Sequence, residues 1–400
     1  MSLRACAAPA ATAGQGDGGL TPAFIAPALI AWQRVQGRRH LPWQATRDPY
    51  RVWLSEVMLQ QTQVATVLAY YERFLARFPD VATLAAAPLD DVYTLWSGLG
   101  YYSRARNLHR CAQVVVERHG GAFPPDAAQL AELPGIGRST AAAIAAFCFG
   151  ERVAILDGNV KRVLGRVLAY GEDLAGSAAE RALWSMAQAL LPAHAADMPA
   201  YTQGLMDLGA TLCLQRAPAC GRCPLAPRCR GLAAGNPLAY PVKSRKLKRS
   251  RREHWWLWLQ AGQLVWLEQR PATGVWSGLW TLPLYDDAAS LQLAVQSLRG
   301  LEGGVDVAVD PPSAKALQAG EPVAAWPAPE GLQALPDVHH VLTHFDWLLH
   351  PHRLHLPADH AASPPLTGRP GRWVGRHELA DIALPAPLRK LLLTTPDRPD

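Results

Sequence analysis

The sequence predicts a helical region followed by a smaller α/β domain, and three observations carry that expectation. From Thr21 to Leu232 apolar residues recur every three or four positions, alanine is abundant, and β-branched alternation is scarce. The basic run Tyr240–Arg252 then interrupts this texture. Beyond it, His254–Leu259 and Gln263–Leu267 read as two strands of a hairpin around Ala261–Gly262, and Trp280–Leu284 and Val338–His350 read as further strands. A length of 400 residues suits two domains, and 49% hydrophobic content against 18% charge gives both a core.

The expected layout is a tail over 1–22, a helical region over 23–232, a linker over 233–253, an α/β domain over 254–392 and a tail over 393–400. Within the helical region, one six-helix part spans about 48–150 and a second part joins 23–47 to 151–232. Asp48–Pro49 is a start signal, with Asp as cap and Pro at the first helical position, and opens a helix expected to run through about Arg77. Further starts fall near Pro88, Pro125 and Ser177. The linker's Lys243, Arg245, Lys246, Lys248, Arg249, Arg251 and Arg252 fit either a solvated hinge or a phosphate contact. The Pro-rich stretch around 310–336 reads as surface loop.

A formal charge of +6 and a pI near 9.0 favour a polyanionic partner, with nucleic acid the preferred reading, although net charge alone does not separate it from phospholipid or a merely soluble surface. No apolar run approaches the roughly 20 residues of a membrane span, and residues 1–22 lack the apolar core of a secretion signal. A soluble, cytoplasmic monomer without membrane contact is expected. Of seven cysteines, Cys6, Cys111 and Cys148 are scattered, while Cys213, Cys220, Cys223 and Cys229 crowd together, a pattern of metal binding more than of disulfides.

The spacing Cys213-x6-Cys220-x2-Cys223-x5-Cys229 puts four thiolates on one Pro-containing loop. Zinc sites commonly pair two Cys-x2-Cys knuckles; a single pair with unequal spacing suits the corners of a cubane better. This loop resembles the cluster loop of the endonuclease III and MutY branch of the helix-hairpin-helix DNA glycosylases. The resemblance implies a 4Fe-4S cluster held by these cysteines, with Arg216, Arg222, Arg228 and Arg230 interleaved to face phosphates.

LeuProGlyIleGlyArgSerThr, residues 133–140, lies between a helix ending near Glu132 and an Ala-rich helix beginning at Ser139, and resembles the helix-hairpin-helix signature. Gly135 and Gly137, both expected to reach positive φ, would expose amides to a phosphate at the next helix N-terminus, beside Arg138. Bifunctional members carry a nucleophilic Lys where this chain has Ser139, so the resemblance implies base removal by water without a Schiff base.

Trp53, Glu56, Gln60 and Val64 are expected to share one helical face, with Glu56 among apolar neighbours that would raise its pKa, as a general acid requires. SerGluValMetLeuGlnGlnThrGln, residues 55–63, resembles the corresponding MutY-family run, which implies that Glu56 protonates N7 of adenine and that Gln61 fills the gap left by the flipped base. IleLeuAspGlyAsnValLysArgVal, residues 155–163, matches the family again. There Asp157 would stabilise the oxocarbenium sugar, with Asn159 orienting it and the water.

GlyLeuGlyTyrTyrSerArgAlaArgAsn, residues 98–107, resembles the family segment whose first Tyr wedges beside 8-oxoguanine, making Tyr101 the wedge and Leu99 its neighbour. Leu41, Trp43 and Gln203 match positions near the adenine pocket. Residues 253–392 resemble the Nudix-like C-terminal domain of the family, most clearly at 268–280, but no acidic helix follows Pro283 to hold Mg²⁺, so a reader of 8-oxoguanine is expected there. Leu342, Thr343, His344 and Phe345 occupy the place of a Phe-Ser-His-Phe lesion-contacting segment; Thr343 keeps the hydroxyl and His344 is retained. The resemblance implies a monofunctional adenine glycosylase acting on duplex DNA with A opposite 8-oxoguanine or G, and names no particular repair or replication protein as partner. The rival readings are an endonuclease III-like glycosylase and lyase, and a noncatalytic iron–sulfur DNA-binding protein.

Overall fold

The computed structural model describes residues 21–244, 249–300, 331–358 and 370–396. Residues 1–20 and 397–400 of the expected tails, the centre of the basic run and most of the Pro-rich stretch lie outside the described residues. The helices are α1 (Pro22–Gln36), α2 (Pro49–Leu59), α3 (Val64–Arg77), α4 (Val81–Ala86), α5 (Leu89–Trp96), α6 (Tyr102–His119), α7 (Ala127–Ala131), α8 (Arg138–Ile144), α9 (Gly158–Val167), α10 (Ser177–Ala189), α11 (Met198–Thr211) and α12 (Arg230–Ala233). After them come β1 (Ser250–Ala261), β2 (Leu264–Gln269), β3 (Trp280–Thr281), β4 (Leu284–Tyr285), α13 (Ala288–Gly300), β5 (Leu332–Ala334), β6 (Val338–Val341), β7 (Phe345–Leu356), β8 (Gly371–Gly375) and α14 (Ala386–Thr394).

Contacts sort these elements into two compact units: one from the residues before Met58 with Ala122–Arg245, the other from Met58–Gly121 with the residues from Lys246 onward. In this grouping residues 58–121 go with the sheet. Contacts remote in sequence cause this, and no local pattern announces them. Tyr102 Oη donates to Leu384 O (3.2 Å), Thr94 Oγ1 to Asp381 O (3.0 Å), and Arg106 to Ala272 O (2.7 Å) and Ser277 Oγ (2.5 Å).

In the first unit α11 is the central helix, packing on α1 and α9. Two glycines permit that closeness. A Cβ on Gly204 would lie 2.9 Å from Leu29 Cγ, and one on Gly209 would lie 2.7 Å from Asn159 Cβ. Ile25, Leu29, Leu156, Val160, Val163, Leu164, Leu205 and Leu208 fill the core between them, each contributing about 2 kcal/mol of burial.

The second unit's sheet runs β3-β2-β1-β7-β5, with β4 also on β1, β6 on β7 and β8 on β2. β1 and β2 form the expected hairpin, and Gly262 takes φ 56° at its turn. β1 and β7 are parallel from Ser250 opposite Phe345 to Ala261 opposite Leu356. Leu257 and Leu259, two residues apart and so on one face, pack under α13 through Leu291, Val295 and Leu298. No acidic residue occurs in α13.

Several expectations change. The helix from Pro49 ends at Leu59, because Gln61 turns left-handed (φ 58°) before α3 begins, so Gln60 and Val64 leave the face carrying Trp53 and Glu56. The strand expected over 338–350 is a hairpin of β6 and β7, folded at Leu342–His344 where Leu342 N–H donates to Phe345 O (3.0 Å). Trp280–Leu284 holds parts of two short strands in place of one. The end of the basic run belongs to β1. There Arg249 pairs with Asp346, Arg251 with Glu253 at 2.8 Å, and the Arg252 guanidinium covers the Phe345 ring at 4.2 Å. Arg251 and Arg252 therefore belong to a strand and not to a hinge, and all three arginines are exposed.

Candidate functional site

Glu56 is carried by α2, whose Trp53, Leu54, Val57 and Met58 are buried and fix the helix face that remains. Its carboxyl lines a pocket with Trp43, Phe147, Pro199, Arg38 and Gln203. Burial, reinforced by the charge of Asp157, pushes the Glu56 pKa up to about 8, so the acid form prevails at neutral pH. Trp43 and Gln203 thus meet at this pocket as the sequence suggests, while Leu41 is buried at the start of the turn leading to Trp43.

Asp157 caps α9, its Oδ1 accepting from Val160 N–H at 2.7 Å. Ser139 Oγ accepts from Leu156 N–H (3.1 Å), which ties the segment entering Asp157 to α8. Asn159 Oδ1 accepts from Arg162, and the same guanidinium donates to Gly209 O (2.6 Å) and, through Nε, to Cys213 O (2.8 Å). Asn159 is therefore joined to the cysteine loop. One further residue of this pocket escaped the sequence reading. Asp207, fully buried on α11, accepts from Arg38 N–H (2.9 Å), Arg38 Nε (2.7 Å) and Gln203 Nε2 (2.9 Å), holding two pocket-lining side chains at once.

In the hairpin between α7 and α8, Gly135 adopts φ 77° as expected, but Gly137 does not, its φ being −83°. Gly137 is the extended N-cap of α8, and a cap requires that geometry. A Cβ there would meet nothing within 4 Å, and Gly137 is exposed at the head of α8. Exposed Arg138 lays its guanidinium over the Trp184 ring at 4.0 Å.

Cys213, Cys220, Cys223 and Cys229 surround one cavity whose other walls are apolar apart from Arg166, among them Val163, Leu208, Leu212 and Leu232. Among the described residues no three His, Cys, Asp or Glu side chains converge tightly enough to hold one metal ion. The four thiols line one cavity, as the ligands of a single bound group would. Buried Arg166 donates to Cys213 Sγ at 3.4 Å and to Leu214 O and Gln215 O, placing a cation against the thiols. The donor set therefore fits an anionic thiolate-bound cluster. Arg216, Arg222, Arg228 and Arg230 are all exposed around it.

In the second unit, Gln61 and Tyr101 are exposed and left-handed, with φ of 58° and 49°. Leu99 is 5% exposed and packs inside, so it supports the Tyr101 turn without projecting from it. The hydroxyls of Tyr101 and Thr343 hydrogen-bond at 2.7 Å, and His344 beside them is exposed. The structure thus brings together two runs 242 positions apart that were singled out separately. Behind this turn Trp276, in the segment 268–280, stacks on Trp347 with centroids 4.5 Å apart. Arg104, within the quoted run 98–107, was not singled out; its partners are the turns themselves.

Residues 54–189 match the family described as "HhH-GPD superfamily base excision DNA repair protein", and residues 254–394 match "NUDIX domain". The adenine DNA glycosylase of Buchnera aphidicola subsp. Baizongia pistaciae (strain Bp) is 40% identical over 64% of this chain and 72% of its own length. That of Rattus norvegicus is 35% identical over 91% of this chain and 76% of its own, and that of Homo sapiens 33% identical over 91% and 72%. A helical base-excision region, a Nudix-like sheet domain and a half-buried acid in a polar-edged pocket accompany that similarity, and the chain belongs to the adenine DNA glycosylases.

Proposed function

We propose that the enzyme hydrolyses the N-glycosidic bond of adenine paired with 8-oxoguanine in duplex DNA, with Glu56 as acid and Asp157 as the stabiliser of the sugar cation. The observation that carries this is a carboxyl kept protonated near neutral pH in a pocket, close enough to Asp157 to feel its charge. Glu56 gives its proton to adenine N7, the C1′–N9 bonding pair leaves with the base, and positive charge develops on the sugar beside Asp157. A water adds its oxygen to C1′ and returns a proton to Glu56. Asn159, held by Arg162, lies two residues from Asp157 and helps place that water. The head of α8, with Gly135, Gly137 and Arg138, receives a phosphate.

Ser139 is part of this scheme as a hydrogen-bond acceptor for Leu156, not as a nucleophile. Borohydride is expected to trap no DNA adduct on the enzyme, whereas Ser139→Lys gains a trappable one. Trapping on the unaltered enzyme at lyase levels would refute hydrolysis by water alone.

Tyr101, Thr343 and His344 are proposed to face the 8-oxoguanine, Gln61 to fill the vacated stack. For Thr343→Ala, loss of one hydroxyl contact is expected to reduce the preference for A opposite 8-oxoguanine over A opposite G by about fivefold, measured as a ratio of single-turnover rates. Cys213, Cys220, Cys223 and Cys229 are proposed to hold a 4Fe-4S cluster, which orders the loop that presents the four arginines. The pure protein should then be brown with absorbance near about 400 nm, and zinc in a colourless preparation would refute it. A monomer acting in the cytoplasm on chromosomal DNA completes this reading.

A further inference from the structure

We propose that Arg104 is a positioning residue for base extrusion, clamping together the two turns that present Gln61 and Tyr101; this rests on the reading of those two side chains as wedges entering the stack. Arg104 projects from α6 and is 8% exposed. Its Nη1 donates to Met58 O (2.9 Å) and Gln60 O (2.6 Å), while Nη2 donates to Leu99 O (3.0 Å), Gly100 O (3.2 Å) and Thr62 Oγ1 (3.1 Å). One guanidinium thus grips the backbone on both sides of the gap between the turns.

The particular carbonyls matter. Gln60 and Gly100 are the residues immediately before Gln61 and Tyr101, and the last two are among only four non-glycine residues with positive φ in the described chain. Such a conformation is strained for a residue with a side chain and persists only where the surroundings impose it. Arg104 bonds the peptide that leads into each. Its guanidinium also stands 5.5 Å from the Tyr101 ring centre and 5.3 Å from that of Trp96, whose Nε1 donates to the same Gly100 O (3.1 Å). A planar fork of five donors bridges this many acceptors; the three donors of an ammonium on a flexible stem do not.

The consequence is mechanical. A wedge opens a stack only if it does not yield, and two wedges act on one site only at a fixed separation. Arg104 supplies both conditions without touching DNA, so it acts on extrusion and leaves the chemistry at Glu56 unaltered.

The test uses full-length Arg104→Met and Arg104→Lys with two substrates: a duplex with A opposite 8-oxoguanine, and the same adenine in an unpaired bulge. Single-turnover adenine release is measured on both, and 2-aminopurine in place of the adenine reports unstacking by its fluorescence. Arg104→Met is expected to lower the fluorescence rise and to slow release from the duplex by about tenfold to a hundredfold, while release from the bulge falls less than about threefold because extrusion is already made. Arg104→Lys is expected to fall between. Equal losses on both substrates, or an undiminished fluorescence rise, would overturn the clamp. If Arg104→Met does not fold, Arg104→Lys is judged by the same two criteria. Gln61→Ala run in parallel separates the premises: a reduced rise with Gln61→Ala but not with the Arg104 variants overturns the clamp alone, and no change with Gln61→Ala overturns the wedge reading beneath it.

Discussion

Glu56→Gln is expected to slow adenine release by about a thousandfold or more, measured in single-turnover assays on A opposite 8-oxoguanine. The amide is isosteric, keeps the pocket filled and has no acidic proton at neutral pH, so folding should survive while proton donation is lost. Undiminished release would sink the acid assignment. The pH dependence follows from the same group. Its pKa is raised from 4.5 to about 8 by burial first and by Asp157 second, and the active form is the protonated one. Activity in the unaltered enzyme should therefore decline as pH rises through about 8. Stability has the same sign. The folded state holds this proton and the unfolded state gives it up above about 4.5, so stability contributed by Glu56 is fully present below that pH and is lost as pH rises towards 8. The slope of stability against pH over that window should flatten in Glu56→Gln.

Asp157→Asn is expected to lose about a thousandfold in the rate of release with almost no loss of stability. The two effects separate because Asp157 has two tasks. As N-cap of α9 it accepts from Val160 N–H at 2.7 Å, and asparagine caps a helix about as well as aspartate. Its charge has no substitute once the sugar becomes cationic. Asp157→Ala should add about 1 kcal/mol of destabilisation to the same catalytic loss, read as a fall in the denaturation midpoint. If Asp157→Asn retained its rate, the carboxylate would be a cap and nothing more.

The helical region, the sheet domain and the cysteine loop were legible in the sequence because each is written in local spacing: apolar residues at three and four, alternation at two, thiols on a short loop. Gln61 shows where that legibility stops. Residues 55–63 are helical in composition, and nothing in their periodicity marks a left-handed residue after Leu59; the geometry is imposed by Arg104, whose position along the chain lies 43 residues further on. Gly137 is the converse case. Its freedom to take positive φ was plain, but the helix it caps asked for an extended residue. Asp207 and Arg166 were invisible for a third reason: an isolated charge on a helix is usually solvated, and only the folded chain shows that both are buried and bonded to pocket and loop. The joining of 58–121 to the sheet is likewise a matter of contacts between distant segments.

The parallel pairing of β1 with β7 has a consequence for the order in which the protein is made. β1 emerges from the ribosome with β2 close behind, but its other edge waits for Phe345–Leu356, the far side of a loop closure of more than eighty residues. Until then the strand bearing Trp255, Trp256, Leu257, Trp258 and Leu259 has an open edge of unpaired amides and carbonyls. A nascent chain at that stage needs protection, and a message truncated before codon 345 would yield a product whose most apolar strand invites pairing with its neighbours, so that its fate is aggregation or proteolysis and not partial activity.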